Sequence, residues 1–172
     1  MDFSKGFNLQ LATLFGLGKI PGGGTWASLF VLLIAMYEQN VEIVSFLSFL
    51  SLIVGPIAYR KLVNESISED PKEYVLDEVI GMGIALSGVY IFYNSIERIE
   101  FNIKYFSDID VLFILTFILF RLFDISKIGP VGWIENKPNE KPYNKVIGDD
   151  IIASILSIIV VIIILSINLW VQ

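Results

Sequence analysis

The stretch Asp124–Asp150, DISKIGPVGWIENKPNEKPYNKVIGDD, lies between two long apolar runs and is the most polar segment they enclose. Asp124 closes the run before it, and Asp149 and Asp150 open the run after it. A carboxylate at the edge of a hydrocarbon run is costly unless a cation or a site requires it. Three such carboxylates, together with Lys127, point to a charged site where helices meet water. The runs on either side point to an all-α, polytopic helical membrane protein.

Composition agrees. The chain has 172 residues, enough for one domain over 1–172, with 55% hydrophobic and only 17% charged residues. The apolar residues come in separate blocks that approach the ~20 residues needed to cross a bilayer. There is no Cys and no His. Thiol catalysis, disulfides, Cys/His zinc sites and a histidine base are therefore excluded. What remains is chemistry by carboxylates, Lys and Arg, hydroxyls, backbone groups or a hard metal. The first apolar segment has no A-x-A-like site after it and is expected to be retained. No nucleic-acid partner is expected.

Working outward from the central loop, five crossings are expected. Leu9–Leu17 is too short to span, and Gly16–Leu29, GLGKIPGGGTWASL, is too rich in glycine and proline for a regular helix. The run resumes over Trp26–Tyr37, so this broken segment is expected at membrane depth. Ile43–Tyr59, Val75–Tyr93, Val111–Phe123 and Ile151–Val171 are the other spans, with Gly55-Pro56 a kink and SISEDPKE a source of helix caps. Arg60–Tyr74 is expected as a loop or surface helix, and Asp108-x-Asp110 as a helix cap. This arrangement puts ten of the twelve basic residues on one side, leaving Arg98 and Lys104 on the other. By the positive-inside rule the richer side is cytoplasmic. Four polar clusters meet on that side: the glycine loop with Lys19 and Thr25; Asp77-Glu78; Arg121, Asp124 and Lys127; and Asp149-Asp150.

Clustered carboxylates repel one another, and a divalent cation neutralises them. Oxygen-only ligands favour Mg²⁺. Helix N-termini also attract acids, which would account for Asp77-Glu78 and Asp149-Asp150 without a metal, but not for Asp124 at a helix C-terminus. The glycine loop offers N–H groups ahead of a helix start, an anion cradle to which Lys19 and Thr25 would add a charge and a hydroxyl. It lacks the ending of a P-loop, so nucleotide binding is rejected. Arg121 and Lys127 could hold phosphate oxygens, or snorkel at the interface. Together these features read as phosphoryl chemistry on a lipid head group, by a metal-activated water or an Asp nucleophile. A divalent-ion transporter would need acids near mid-span, and none lies there.

The same segments resemble the phosphatidylglycerophosphatase A family. Gly16–Leu29 is similar to its G-x-G-x-x-P-x-x-P-G-T-x-G-S-L, LDEVIGMGIAL to its D-E-x-x-G, FRLFDISKIGP to its F-R-x-x-D-x-x-K-P-x-P, and VIGDDIIAS to its D-D-x-x-A-G. The likeness runs from about residue 10 to about 160. It departs where the first motif is one residue short and lacks its second proline, where Ala27 and Ser154 replace glycines, and where Ile128 replaces a proline. Every charged position is kept.

The resemblance implies a Mg²⁺-dependent phosphatase of the inner or plasma membrane. It would turn phosphatidylglycerophosphate into phosphatidylglycerol at the cytoplasmic face. Asp77, Glu78, Asp124, Asp149 and Asp150 would be metal ligands or acid/base groups; Lys19, Thr25, Arg121 and Lys127 would contact the phosphate. The alternatives are a phosphatase of a soluble monoester such as α-ribazole phosphate, and a non-catalytic membrane scaffold.

Overall fold

A computed structural model describes residues 3–65, 71–97, 108–138 and 140–170. Among these residues the chain forms seven α-helices and no strand. They are α1 (Phe3–Ala12), α2 (Gly23–Met36), α3 (Val41–Glu65), α4 (Leu76–Glu97), α5 (Ile109–Ser126), α6 (Pro130–Glu135) and α7 (Pro142–Trp170).

Three helices are long and apolar enough to cross a membrane: α3 over Val41–Asn64, α4 over Leu76–Ile96 and α7 over Pro142–Ile167. Of the other two expected spans, α2 is apolar but only 14 residues long, and α5 carries Asp110, Arg121 and Asp124 in its 18 residues. Parts of the expected connections, 66–70 with most of SISEDPKE and 98–107 with Arg98 and Lys104, lie outside the described residues.

α4 is the central helix and touches α2, α3, α5 and α7. Its glycines permit close packing, as small residues do between membrane helices. A Cβ at Gly81 would sit 2.8 Å from the Phe120 ring and 3.0 Å from Asp150 Cβ. Ser154 Oγ lies 2.7 Å from the Gly81 carbonyl, a direct α7-to-α4 bond, and Ser48 Oγ donates to the Ile80 carbonyl at 2.9 Å from α3. The buried core runs through Val31, Val44, Met82, Leu86, Phe113 and Leu165. Apolar rows cover the outside: Ile155, Ile159, Ile163 and Ile167 at one-turn spacing on α7, and Phe46, Phe49, Ile53 and Ile57 on α3. Apolar side chains both inside and outside are what a lipid environment calls for.

Several boundaries differ from those expected. α7 begins at Pro142, a residue suited to a first turn because it has no N–H to leave unpaired. Asp149 and Asp150 therefore do not open the helix; they lie two turns inside it and are buried. Asp124 is not beyond its helix but in the last turn of α5. α3 continues to Glu65, so Arg60 and Lys61 are helical, and Pro56 is accommodated within it. α6 is a six-residue helix in the stretch expected to be loop. The glycine-rich segment folds as a tight turn and a 3₁₀ turn at Leu17–Lys19 before α2. Gly22 caps α2 with φ 74°, a left-handed value that disfavours side chains. Asp108 caps α5 as expected, accepting the Asp110 N–H at 3.0 Å.

Candidate metal and phosphate site

The first turn of α4, the last turns of α5 and the interior of α7 converge on one pocket of about 260 Å³. Asp77, Glu78, Asp124, Lys127, Asp149 and Asp150 all line it. The acids that are separated by up to 73 positions along the chain are thus neighbours, and α4–α7 packing at Gly81 and Ser154 sets their register.

Two cations bind the cluster together. Arg121 Nη1 lies 2.9 Å from Asp124 Oδ2, one turn away on α5, and 4.0 Å from Glu78 Oε1 on α4. Lys127 Nζ lies 3.3 Å from Asp124 Oδ1 and also donates to Asp149 Oδ2 on α7. Lys127 ends α5 in the left-handed region at φ 51°, an unfavourable conformation for a residue with a Cβ. That turn directs its side chain back over the helix end. Burial works against the Lys127 charge, but Asp149 and Asp124 outweigh it and hold its pKa above the usual lysine range. Lys127 is therefore an ammonium throughout the physiological range.

The remaining carboxylates form a tighter group. One oxygen each from Asp77, Glu78 and Asp150 lie within 4.8 Å of one another. Backbone N–H groups hold two of the site's acids in place: Glu78 N–H donates to Asp77 Oδ1 at 3.0 Å, and Asp150 N–H to Asp149 Oδ1 at 3.1 Å. Glu78 Oε2 and Arg121 Nε are buried without a hydrogen-bond partner. A buried acceptor or donor left unpaired is costly, and a ligand in the pocket is one way to satisfy it.

The start of α2 packs against Glu78 and Arg121. A Cβ at Gly24 would overlap the Glu78 carboxylate, so this position has room only for hydrogen. Four residues on, Ser28 Oγ accepts from Arg121 Nη1 at 3.5 Å while donating to the Gly24 carbonyl at 2.9 Å. Further back, Gly18 packs on the Glu73 carbonyl and Val75 N–H donates to the Ala12 carbonyl at 3.1 Å. The glycine-rich segment thus braces the start of α4, which carries Asp77 and Glu78. Within the turn, the Gly16, Gly18 and Lys19 N–H groups are used in backbone hydrogen bonds and so do not form the expected anion cradle.

Seven of the nine expected site residues therefore come together: five acids, Arg121 and Lys127. Lys19 and Thr25 do not; both are exposed and neither lines the pocket. Ser28, Tyr74 and Lys72 at the site were missed. Ser28 stood inside the glycine motif, four residues beyond Gly24 and so on the same helix face, which is the signal that could have found it.

Comparison with curated proteins finds no match, and comparison with solved structures finds none either. The family model of phosphatidylglycerophosphatase A matches residues 10–165, a span that takes in every residue of the pocket and all the motifs around it. Membership implies phosphatidylglycerophosphatase activity, and the chain belongs to the phosphatidylglycerophosphatase A family.

Proposed function

We propose that the protein hydrolyses phosphatidylglycerophosphate to phosphatidylglycerol and orthophosphate, in a Mg²⁺-dependent reaction at the cytoplasmic face of the cell membrane. The observation that carries this reading is the meeting of the Asp77, Glu78 and Asp150 carboxylates within 4.8 Å, in a pocket that also holds Lys127.

Asp77, Glu78 and Asp150 would hold the ion, with Asp124 and Asp149 as further carboxylates in the same pocket. The donor set suits Mg²⁺, since it is all oxygen, and Glu78 Oε2 has no other partner. When bound, the ion offsets the carboxylate charge, polarises a phosphoryl oxygen and acidifies water.

The side chains have separable tasks. Lys127 and Arg121 donate to phosphate oxygens and stabilise the charge of the transferring group. Asp124 and Asp149 hold Lys127 in place, and Asp124 holds Arg121, whose Nε remains able to donate. In the hydrolysis the P–O bond to the glycerol oxygen breaks as a water oxygen bonds to phosphorus. The departing oxygen takes up a proton and the water loses one, and the pocket carboxylates are the groups able to exchange them.

In this reading the chain crosses the membrane five times, α2 and α5 joining the three long helices. At 18 residues α5 reaches ~27 Å, close to the thickness of the hydrocarbon core. The pocket then opens on the side rich in Lys and Arg, hence the cytoplasmic one. Purified protein given phosphatidylglycerophosphate and α-ribazole phosphate separately tests the assignment by phosphate release. Preference for the lipid supports it; preference for the soluble ester overturns it.

A further inference from the structure

Two lysines line the pocket, and they are not equivalent. Lys127 is engaged by Asp124 and Asp149, and Arg121 nearby is engaged by Asp124. Lys72 is exposed and forms no ion pair among the described residues. Its backbone is nevertheless well anchored. Tyr74 N–H donates to the Pro71 carbonyl at 2.8 Å, Val75 N–H donates to the Ala12 carbonyl at 3.1 Å, and the Glu73 carbonyl packs on Gly18. An anchored backbone thus carries an exposed ammonium on the pocket lining.

The position along the chain sets its depth. Lys72 lies four residues before α4, a helix apolar enough to cross the membrane. Basic residues just outside a span sit at the level of lipid phosphates. The pocket lining carries six carboxyl groups against two ammonium groups, Lys72 included. A second anion entering this field is repelled unless a further cation meets it, since Lys127 and Arg121 are taken up by the acids and the terminal phosphate.

We propose that Lys72 is a specificity-determining residue that binds the phosphate left intact by the reaction, the diester joining the head group to diacylglycerol. This rests on the reading above, in which the substrate is a lipid with two phosphates. The terminal monoester lies among Asp77, Glu78, Asp150 and Lys127, while the diester stays at the rim against Lys72. A flexible ammonium suits this task, because a diester at the interface offers charge rather than a fixed bidentate geometry.

The experiment uses purified full-length protein in micelles of an uncharged detergent. Four quantities are measured for wild type, Lys72→Ala and Lys72→Arg: KM and kcat for phosphatidylglycerophosphate, the inhibition constant of orthophosphate, and that of phosphatidylglycerol. Orthophosphate lacks the diester; phosphatidylglycerol keeps it and lacks the monoester. Lys72→Ala is expected to raise KM and the phosphatidylglycerol constant about tenfold, the effect of one charge-assisted contact. The loss falls in KM rather than kcat, the orthophosphate constant moves less than about twofold, and Lys72→Arg recovers most of the loss. Unchanged KM overturns the proposal. So does an equal rise in the orthophosphate constant, which would mean a general field or a distorted site. Wild-type protein without lipid turnover sinks the proposed function and this inference with it; lipid turnover with an unmoved KM in Lys72→Ala sinks this inference alone.

Discussion

Gly24 and Glu78 fit together so closely that a methyl group on Gly24 would overlap the Glu78 carboxylate. This contact joins the glycine-rich motif to the acidic pair of α4 and gives the motif a steric reason. The overlapping atom is the tip of a flexible side chain, so Gly24→Ala is expected to displace Glu78 rather than unfold α2. Activity should fall by about a hundredfold or more, as when a preorganised charge is lost. Thermal stability should change little, because alanine is the better helix former by about 1 kcal/mol. Gly23→Ala differs, since its methyl would meet Gly18 backbone atoms at 2.8 Å, and should lower stability as well. Melting curves and phosphate release separate the two.

Lys127 combines a strained backbone with a committed charge. Lys127→Ala and Lys127→Gly should both lose most activity, because each leaves Asp124 and Asp149 without the ammonium. The glycine variant should be the more stable by about 1 kcal/mol, since it relieves a left-handed φ that alanine keeps. Denaturant unfolding of the two variants side by side measures this difference; equal stability would remove the strain from the account.

Asp124 is the shared partner of Arg121 and Lys127. Asp124→Asn keeps the shape and removes the charge. It should cost about 1–3 kcal/mol of stability and abolish phosphate release while the protein still inserts in membranes. Near-normal turnover would take Asp124 out of the site.

The absence of cysteine makes topology simple to test. Lys141→Cys, an exposed position beside the start of α7, should be protected from an impermeant thiol reagent in intact cells and react after permeabilisation. Labelling in intact cells would place the pocket on the outer face.

The sequence was legible where charge interrupted apolar runs. Asp77-Glu78, Arg121, Asp124, Lys127 and Asp149-Asp150 stood out because each is costly at a hydrocarbon edge; the acids and Lys127 do share a pocket, and Arg121 pairs with two of those acids, Asp124 and Glu78. Less legible was anything decided by packing between distant segments. α7 begins at Pro142, well before its apolar run, and its Gly148 packs against Ile134 of α6. The glycine motif suggested an anion cradle, but Gly18 and Gly24 answer to close contacts with Glu73 and Glu78, partners more than 50 residues away that no local pattern names. Lys19 and Thr25 were drawn in by sharing that motif and lie outside the pocket.

The central claim is that acids from α4, α5 and α7 form one cation-dependent phosphatase site. The direct measurement is orthophosphate release from phosphatidylglycerophosphate by protein stripped with EDTA, as Mg²⁺ is added back. The account requires no release from the stripped protein, recovery with Mg²⁺, and no recovery in Asp150→Asn at the same concentrations. Full turnover in the presence of EDTA would contradict it.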